Sequence, residues 1–176
     1  TPIYPGTVSN EDVAQVAREY PGKFIGLGSI SLEWSPEAIR DETRRCVVEL
    51  GMPGISIDPY LWSPPVYPDC DALRPLYETC IELDVPVAMT LSASSAPDFT
   101  YCSPGRVDAV AARYPELKIV VAHACWPHVL EMCAVVFRRR NVWISPDMYM
   151  LAPGASEYVQ AANTFARERF LFATCY

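Results

Sequence analysis

Short β-branched apolar runs alternate with helix-compatible segments along the whole chain, and few folds accommodate that rhythm. A period-2 apolar strand followed by a period-3.6 amphipathic stretch, repeated, specifies βαβ units around a parallel sheet. Six such units can be read. Val13, Val16 and Ala17 at helical spacing predict a helix over 10–20, and a Pro-Gly turn leads into a strand over 23–30. Ser35 followed by Pro36 predicts a helix start, because the serine hydroxyl satisfies an orphan backbone donor and proline presets φ; that helix runs to Leu50, with Gly51 as its stop. The remaining strands are expected over 54–59, 85–91, 117–122, 141–145 and 169–173, with helices over 71–83, 104–114, 129–137 and 156–166. Two irregular stretches, 60–68 and 92–103, are loops of the kind that carries function.

With 51% hydrophobic residues over 176 positions, the chain is long and apolar enough for one domain with a real core, and its composition is not that of a disordered protein. The net charge of −7 argues against nucleic acid, since phosphate binding needs a concentrated excess of Lys and Arg. The one basic run, Arg138-Arg139-Arg140, falls where a helix should end and complements its dipole. No apolar stretch of about 18 residues is present, and no basic-then-apolar leader opens the sequence, so a cytoplasmic protein with no membrane partner is expected. Seven cysteines without a C-x-x-C pair point to free, mostly buried thiols. The turn-like opening TPIYPGT reads as though the chain were entered in the middle of a domain.

In parallel α/β folds, ligands bind beyond the carboxyl ends of the strands. Those ends offer Asp58 and Tyr60, Thr90 and Ser92, His123 with Cys125 and Trp126, Asp147 with Tyr149, and Thr174 with Cys175. His123 directly follows the run Lys118-Ile119-Val120-Val121-Ala122, so its imidazole should project into the mouth, where it can transfer protons or ligate a metal; a histidine held for packing is the plainer alternative. Asp147 either orients His123, binds a polar substrate group or caps the next loop. A Cys175/His123 thiol pair is a further option. Trp34, Trp62, Trp126 and Trp143 line a pocket or pack the core. His128, at a helix start, reads as a surface or capping residue. Gly26-Leu27-Gly28 lacks the third glycine and the helix of a dinucleotide fingerprint, and no phosphate loop, G-x-S-x-G elbow or H-E-x-x-H motif occurs.

The segments YPGKFIGLGSI, ELGMPGISIDP, PLYETCIELDVPV, RYPELKIVVAHACWP, NVWISPDMY and ERFLFATCY resemble, in order and spacing, the second amidohydrolase-related family of metal-dependent hydrolases and non-oxidative decarboxylases. The resemblance implies a (β/α)8 TIM-type barrel, here partial, with about six parallel strands corresponding to the third through eighth. It implies a single domain over 1–176, incomplete at the N-terminus and cut just after the last strand. It also implies a hydrolase or decarboxylase of a small carboxylated or lactone-like substrate, with His123 and Asp147 catalytic and Asp58, Tyr60, Thr90, Trp126 and Tyr149 around the substrate. Family members carry an H-x-H pair on the first strand, histidines on the fifth and sixth, and an aspartate on the eighth. Here the H-x-H pair is not in the chain, Thr90 and Cys175 stand at the fifth- and eighth-strand positions, and only His123 matches. The metal site is thus incomplete, with His123 and Cys175 as weak candidate ligands, and zinc or manganese would need ligands from outside this chain. A catalytically inactive barrel remnant that binds a ligand or protein is the alternative. Six strands of an eight-strand barrel also leave apolar edges, which predicts self-association into a homo-oligomer.

Overall fold

The computed structural model describes residues 8–175, so the opening TPIYPGT lies outside the described residues. Four parallel strands form the sheet in sequence order: β1 (Ile55–Ile57), β2 (Val87–Thr90), β3 (Ile119–Ala122) and β4 (Val142–Ser145). Six helices alternate with them: α1 (Asn10–Glu19), α2 (Pro36–Arg44), α3 (Arg74–Glu82), α4 (Pro104–Arg113), α5 (Val129–Arg138) and α6 (Ser156–Asn163). The six-strand expectation is realised as four strands flanked by one parallel bridge on each side, Gly28 to Ile55 and Phe170 to Ile144. The direction and order are those expected, but the outer segments are shorter than 23–30 and 169–173. Each has a neighbour on one side only, and the ladder stops after a pair of hydrogen bonds: Ser56 N–H to Gly28 O at 2.8 Å on one edge, Leu171 N–H to Ile144 O at 2.8 Å on the other. Their apolar side chains stay in solvent, with Ile25 80% and Phe172 81% exposed.

The local signals act as chemistry requires. Ser35 Oγ accepts the Ala38 N–H at 3.2 Å, and Pro36 opens α2. The predicted single helix to Leu50 instead widens after Arg44 into a π turn, Arg45–Glu49, before Gly51 takes φ +72°. Gly28 sits where its backbone approaches Cys46 and Ile55; a Cβ there would lie 2.8 Å from both side chains. This glycine serves close packing of strand on helix, not a phosphate.

Ile55, Ile57, Val87, Met89, Ile119, Val121, Val142 and Ile144 are buried in one core with helix residues such as Ile39, Leu76, Val107 and Met132. Each such side chain contributes about 1.5–3 kcal/mol by leaving water. The alternate positions Ser56, Ala88, Thr90, Val120, Ala122 and Trp143 face the other way and remain half-buried. The sheet is therefore sealed by helices on one face and open on the other, as one arc of a barrel is. Register aligns the strand ends: Thr90 pairs with Ala122, and Ala122 with Ser145. The residues that follow this row form the rim.

The expectation for the basic run is refined. Arg139 grips Asp108 of α4 through Nε at 2.6 Å and Nη2 at 3.0 Å, so the basic run ties α5 to α4 besides ending α5. Arg169, buried, donates to the carbonyls of Val136 and Arg139, which anchors the last segment under the C-terminus of α5. Among the described residues no helix is long and apolar enough to cross a membrane.

Candidate functional site

His123 is the first residue beyond β3, and its imidazole is buried, with the residue 9% exposed. Asp147 stands two residues beyond β4. One of its oxygens, Oδ2, accepts the His123 backbone N–H at 3.0 Å and lies 3.2 Å from His123 Nδ1. The ring contact is close without being aligned as a hydrogen bond, so the backbone bond fixes the carboxylate and the imidazole rests against it. The other oxygen, Oδ1, takes the Ser145 hydroxyl. On its far side the imidazole presents Nε2 to Cys175 Sγ at 4.0 Å.

These three side chains are aimed by an unusual backbone. Six non-glycine residues have left-handed φ among the described residues, and five of them are here: His123 (+63°), Ala124 (+45°), Cys125 (+60°), Asp147 (+55°) and Cys175 (+57°). Each costs roughly 1–2 kcal/mol relative to ordinary backbone, so surrounding contacts must hold them. One such contact is the Tyr158 hydroxyl, which donates to Ala124 O at 2.7 Å from within α6. Burial raises the Tyr158 pKa further above its usual value, so it remains a donor.

Beside His123 lies an aromatic and hydroxyl wall. Tyr149 stacks on Trp126 at 4.9 Å and 8° and meets the His123 ring edge-on at 5.5 Å. Trp126 is oriented by its Nε1–H, which donates to Pro153 O at 3.1 Å. The Tyr149 hydroxyl donates to Ser94 Oγ at 3.0 Å, and Ser92 Oγ lies 2.8 Å from both Ser94 Oγ and Tyr149 Oη. With one proton per hydroxyl, Tyr149 to Ser94 to Ser92 to Tyr149 closes a ring in which every group gives once and takes once. Tyr60 joins this wall, with its hydroxyl 3.0 Å from Ser95 Oγ and accepting the Ser92 N–H at 3.4 Å. Burial raises its pKa too. No Lys or Arg occurs in residues 58–73, 91–103, 123–128, 146–155 or 171–175, the stretches that leave the strand ends.

The structure therefore brings together His123, Asp147, Tyr149, Trp126 and Cys175, with Tyr60 joined through the serines. Thr90 ends β2 beside Ala122 and is half-buried. Asp58 follows β1 directly and precedes the turn Pro59–Leu61 without capping it through its side chain. The other tryptophans do not line the mouth. Trp62 is buried in the core, Trp34 packs near Arg45, and Trp143 shares a cleft with Arg138, Arg139 and Arg140 beyond the opposite ends of the strands. His128 is neither a surface residue nor a side-chain cap: it is half-buried at the N-cap position of α5, with Phe99 edge-on at 6.4 Å and Nε2 without a partner. Ser94, Ser95 and Ser145 escaped sequence reasoning. Ser145 carried a faint signal in Ser-Pro-Asp, a short polar turn at a strand end; the loop serines carried none.

A metal does not fit the residues present. Among the described residues no group of three His, Cys, Asp or Glu side chains converges on one point. Asp147 is committed to His123 and Ser145, which leaves one imidazole and one thiol, fewer than the three protein ligands of a catalytic zinc and unlike the oxygen-rich set that manganese takes.

Comparison with known proteins identifies the family and the fold. The amidohydrolase family model matches residues 5–176. The chain is 39% identical to an uncharacterized TIM-barrel protein from Bordetella bronchiseptica, with a TM-score of 0.90 over 97% of this chain and 60% of that one. A 5-carboxyvanillate decarboxylase from Novosphingobium aromaticivorans, solved with manganese and 4-hydroxy-3-methoxy-5-nitrobenzoic acid, shares the fold at 18% identity and a TM-score of 0.72, over 94% of this chain and 58% of that one. A 74-residue stretch is 40% identical to 2-amino-3-carboxymuconate-6-semialdehyde decarboxylase of Dictyostelium discoideum, covering 36% of this chain and 20% of that protein. The chain thus spans about 60% of the solved relative and a smaller part of the curated one. Its six parallel segments are part of a TIM-type barrel, and the chain belongs to the amidohydrolase family.

Proposed function

We propose that this chain forms one side of the active-site mouth of a hydrolase or non-oxidative decarboxylase acting on a small lactone-like or carboxylated substrate. The observation that carries the reading is the convergence of Asp147 and Cys175 on the buried imidazole of His123, all three on left-handed backbone. Strain of this kind persists where it positions reacting groups. In this reading Asp147 keeps the proton of His123 on Nδ1, so Nε2 is free to take a proton from the attacking group and return it to the leaving group. Trp126 and Tyr149 offer an aromatic face to the substrate, while Tyr60, Thr90 and Asp58 border it.

Of the two substrate types, the neutral lactone suits this side of the mouth better. A carboxylate would meet Asp58 and Asp147 with no Lys or Arg in the neighbouring loops, and its desolvation would go uncompensated. Decarboxylases among the relatives support the carboxylated alternative, with the acid group held by parts of the protein outside these residues.

A second reading has a specific observation in its favour. Thr90 and Cys175 stand where the family resemblance places a histidine and an aspartate, as in a barrel that binds a ligand without turnover. Assay of the full-length protein against a panel of aromatic lactones and aromatic carboxylic acids, with metal content measured on the same preparation, separates the two. Turnover of a lactone or an acid supports the enzyme; saturable binding with no product from any panel member supports the binding module.

A further inference from the structure

We infer that Cys175 is an acyl-accepting nucleophile, with His123 as its base and Asp147 as the group that orients that base, and that the site accepts neutral activated esters and lactones. The three groups stand in the order that such a relay needs: Sγ to Nε2 at 4.0 Å on one side of the ring, and Nδ1 to Asp147 Oδ2 at 3.2 Å on the other. The first distance is longer than a closed thiol–imidazole contact, as is common before a substrate draws the pair together. The imidazole is buried, and the exposed thiol lies on its Nε2 side.

Cys175 also differs from the other six thiols of the chain. It is exposed, whereas Cys46, Cys80, Cys102, Cys125 and Cys133 are buried and Cys70 is half-buried. Burial pushes Cys46 and Cys80 up to about 12 and Cys102 and Cys133 up to about 11, and it holds Cys125 well above the ordinary thiol range. Burial thus disfavours the reactive thiolate at each of them. The absence of Lys and Arg from the surrounding loops suits an uncharged acyl group, and the stacked Trp126–Tyr149 pair suits an aromatic leaving group.

The step balances without any co-reactant other than water. The Sγ proton passes to Nε2 as sulfur bonds to the carbonyl carbon. The C–O bond to the leaving group then breaks, and the departing oxygen recovers the proton from Nε2. Water, deprotonated by the same nitrogen, hydrolyses the thioester, releases the acid and restores the thiol. This goes beyond the acid/base assignment above, because it gives the attacking atom to the chain itself.

The probe is p-nitrophenyl acetate with the full-length protein. We expect a rapid release of about one p-nitrophenolate per chain, the acetyl group on the Cys175 peptide by mass spectrometry, and acylation at least about a hundredfold faster than that of free glutathione at the same pH. Cys175→Ala should abolish the burst, and His123→Gln should bring the rate close to that of glutathione. Asp147→Asn, which preserves volume, should slow it while leaving the acetyl on Cys175. Acetylation elsewhere, or a Cys175 rate no faster than glutathione, overturns the inference; the second comparison needs no variant to fold. Lactone turnover that survives Cys175→Ala sinks the thiol route alone. Acylated Cys175 in a protein that turns over no panel substrate supports the thiol and sinks the proposed function alone.

Discussion

A single oxygen of Asp147 accepts the backbone N–H of His123 at 3.0 Å and rests 3.2 Å from its Nδ1. In the proposed reading this carboxylate keeps the proton on Nδ1 and turns a bare Nε2 toward Cys175. Nitrogen-15 NMR of labelled histidine should therefore show the Nδ1–H form in the wild type and a mixture in Asp147→Asn. An Nε2–H majority in the wild type would remove the basis for Nε2 as the proton acceptor.

The left-handed turn over His123, Ala124 and Cys125 depends on α6 through the Tyr158 hydroxyl and Ala124 O, 2.7 Å apart in a buried setting. Tyr158→Phe keeps the ring and strands the carbonyl, so it should cost about 1–3 kcal/mol in urea unfolding. The same change should disturb the His123 resonances more than those of the distant Asn10–Glu19 helix. A stability loss with an unmoved His123 would show that the turn is held by other contacts.

Acid sensitivity should arise partly at the α4–α5 junction. The Arg139 guanidinium bonded to Asp108, with Arg138 nearby, holds the Asp108 carboxyl below its usual range in the folded protein. A carboxyl lowered on folding stabilises the protein above its unfolded pKa of about 3.9, and that contribution is lost as pH falls through the lower folded value. Asp108→Asn should therefore unfold more easily than wild type at pH 7 by a modest margin, given how exposed the pair is, and the two should converge as pH falls below the folded value. A margin independent of pH would assign the effect to packing.

The elements most legible in the sequence are those whose signals are local. Ser35-Pro36, Gly51 and the β-branched runs around Ile55, Val87, Ile119 and Val142 gave the helix start and the central strands, because capping and period-2 burial act within a few residues. The outer strands were overestimated, since Phe24 and Ile25 or Leu171 and Phe172 read as strand-forming but a ladder needs a neighbour on that side. His123 and Asp147 were found through their place after a strand. Their left-handed φ was not, because Asp and His, though they adopt it more often than most non-glycine residues, still do so uncommonly. The Tyr149–Ser92–Ser94 ring was hidden for another reason: Ser92 and Ser94 lie more than fifty residues from Tyr149, and only the register of the sheet brings them together.

The most direct test of the shared rim is the steady-state kcat of the full-length protein on a neutral aromatic lactone such as dihydrocoumarin, compared between wild type and His123→Gln. The account predicts turnover by the wild type and a fall in kcat of about 10²–10⁴-fold in the variant, with its far-UV circular dichroism unchanged. A folded His123→Gln protein that turns the lactone over at the wild-type rate would contradict it.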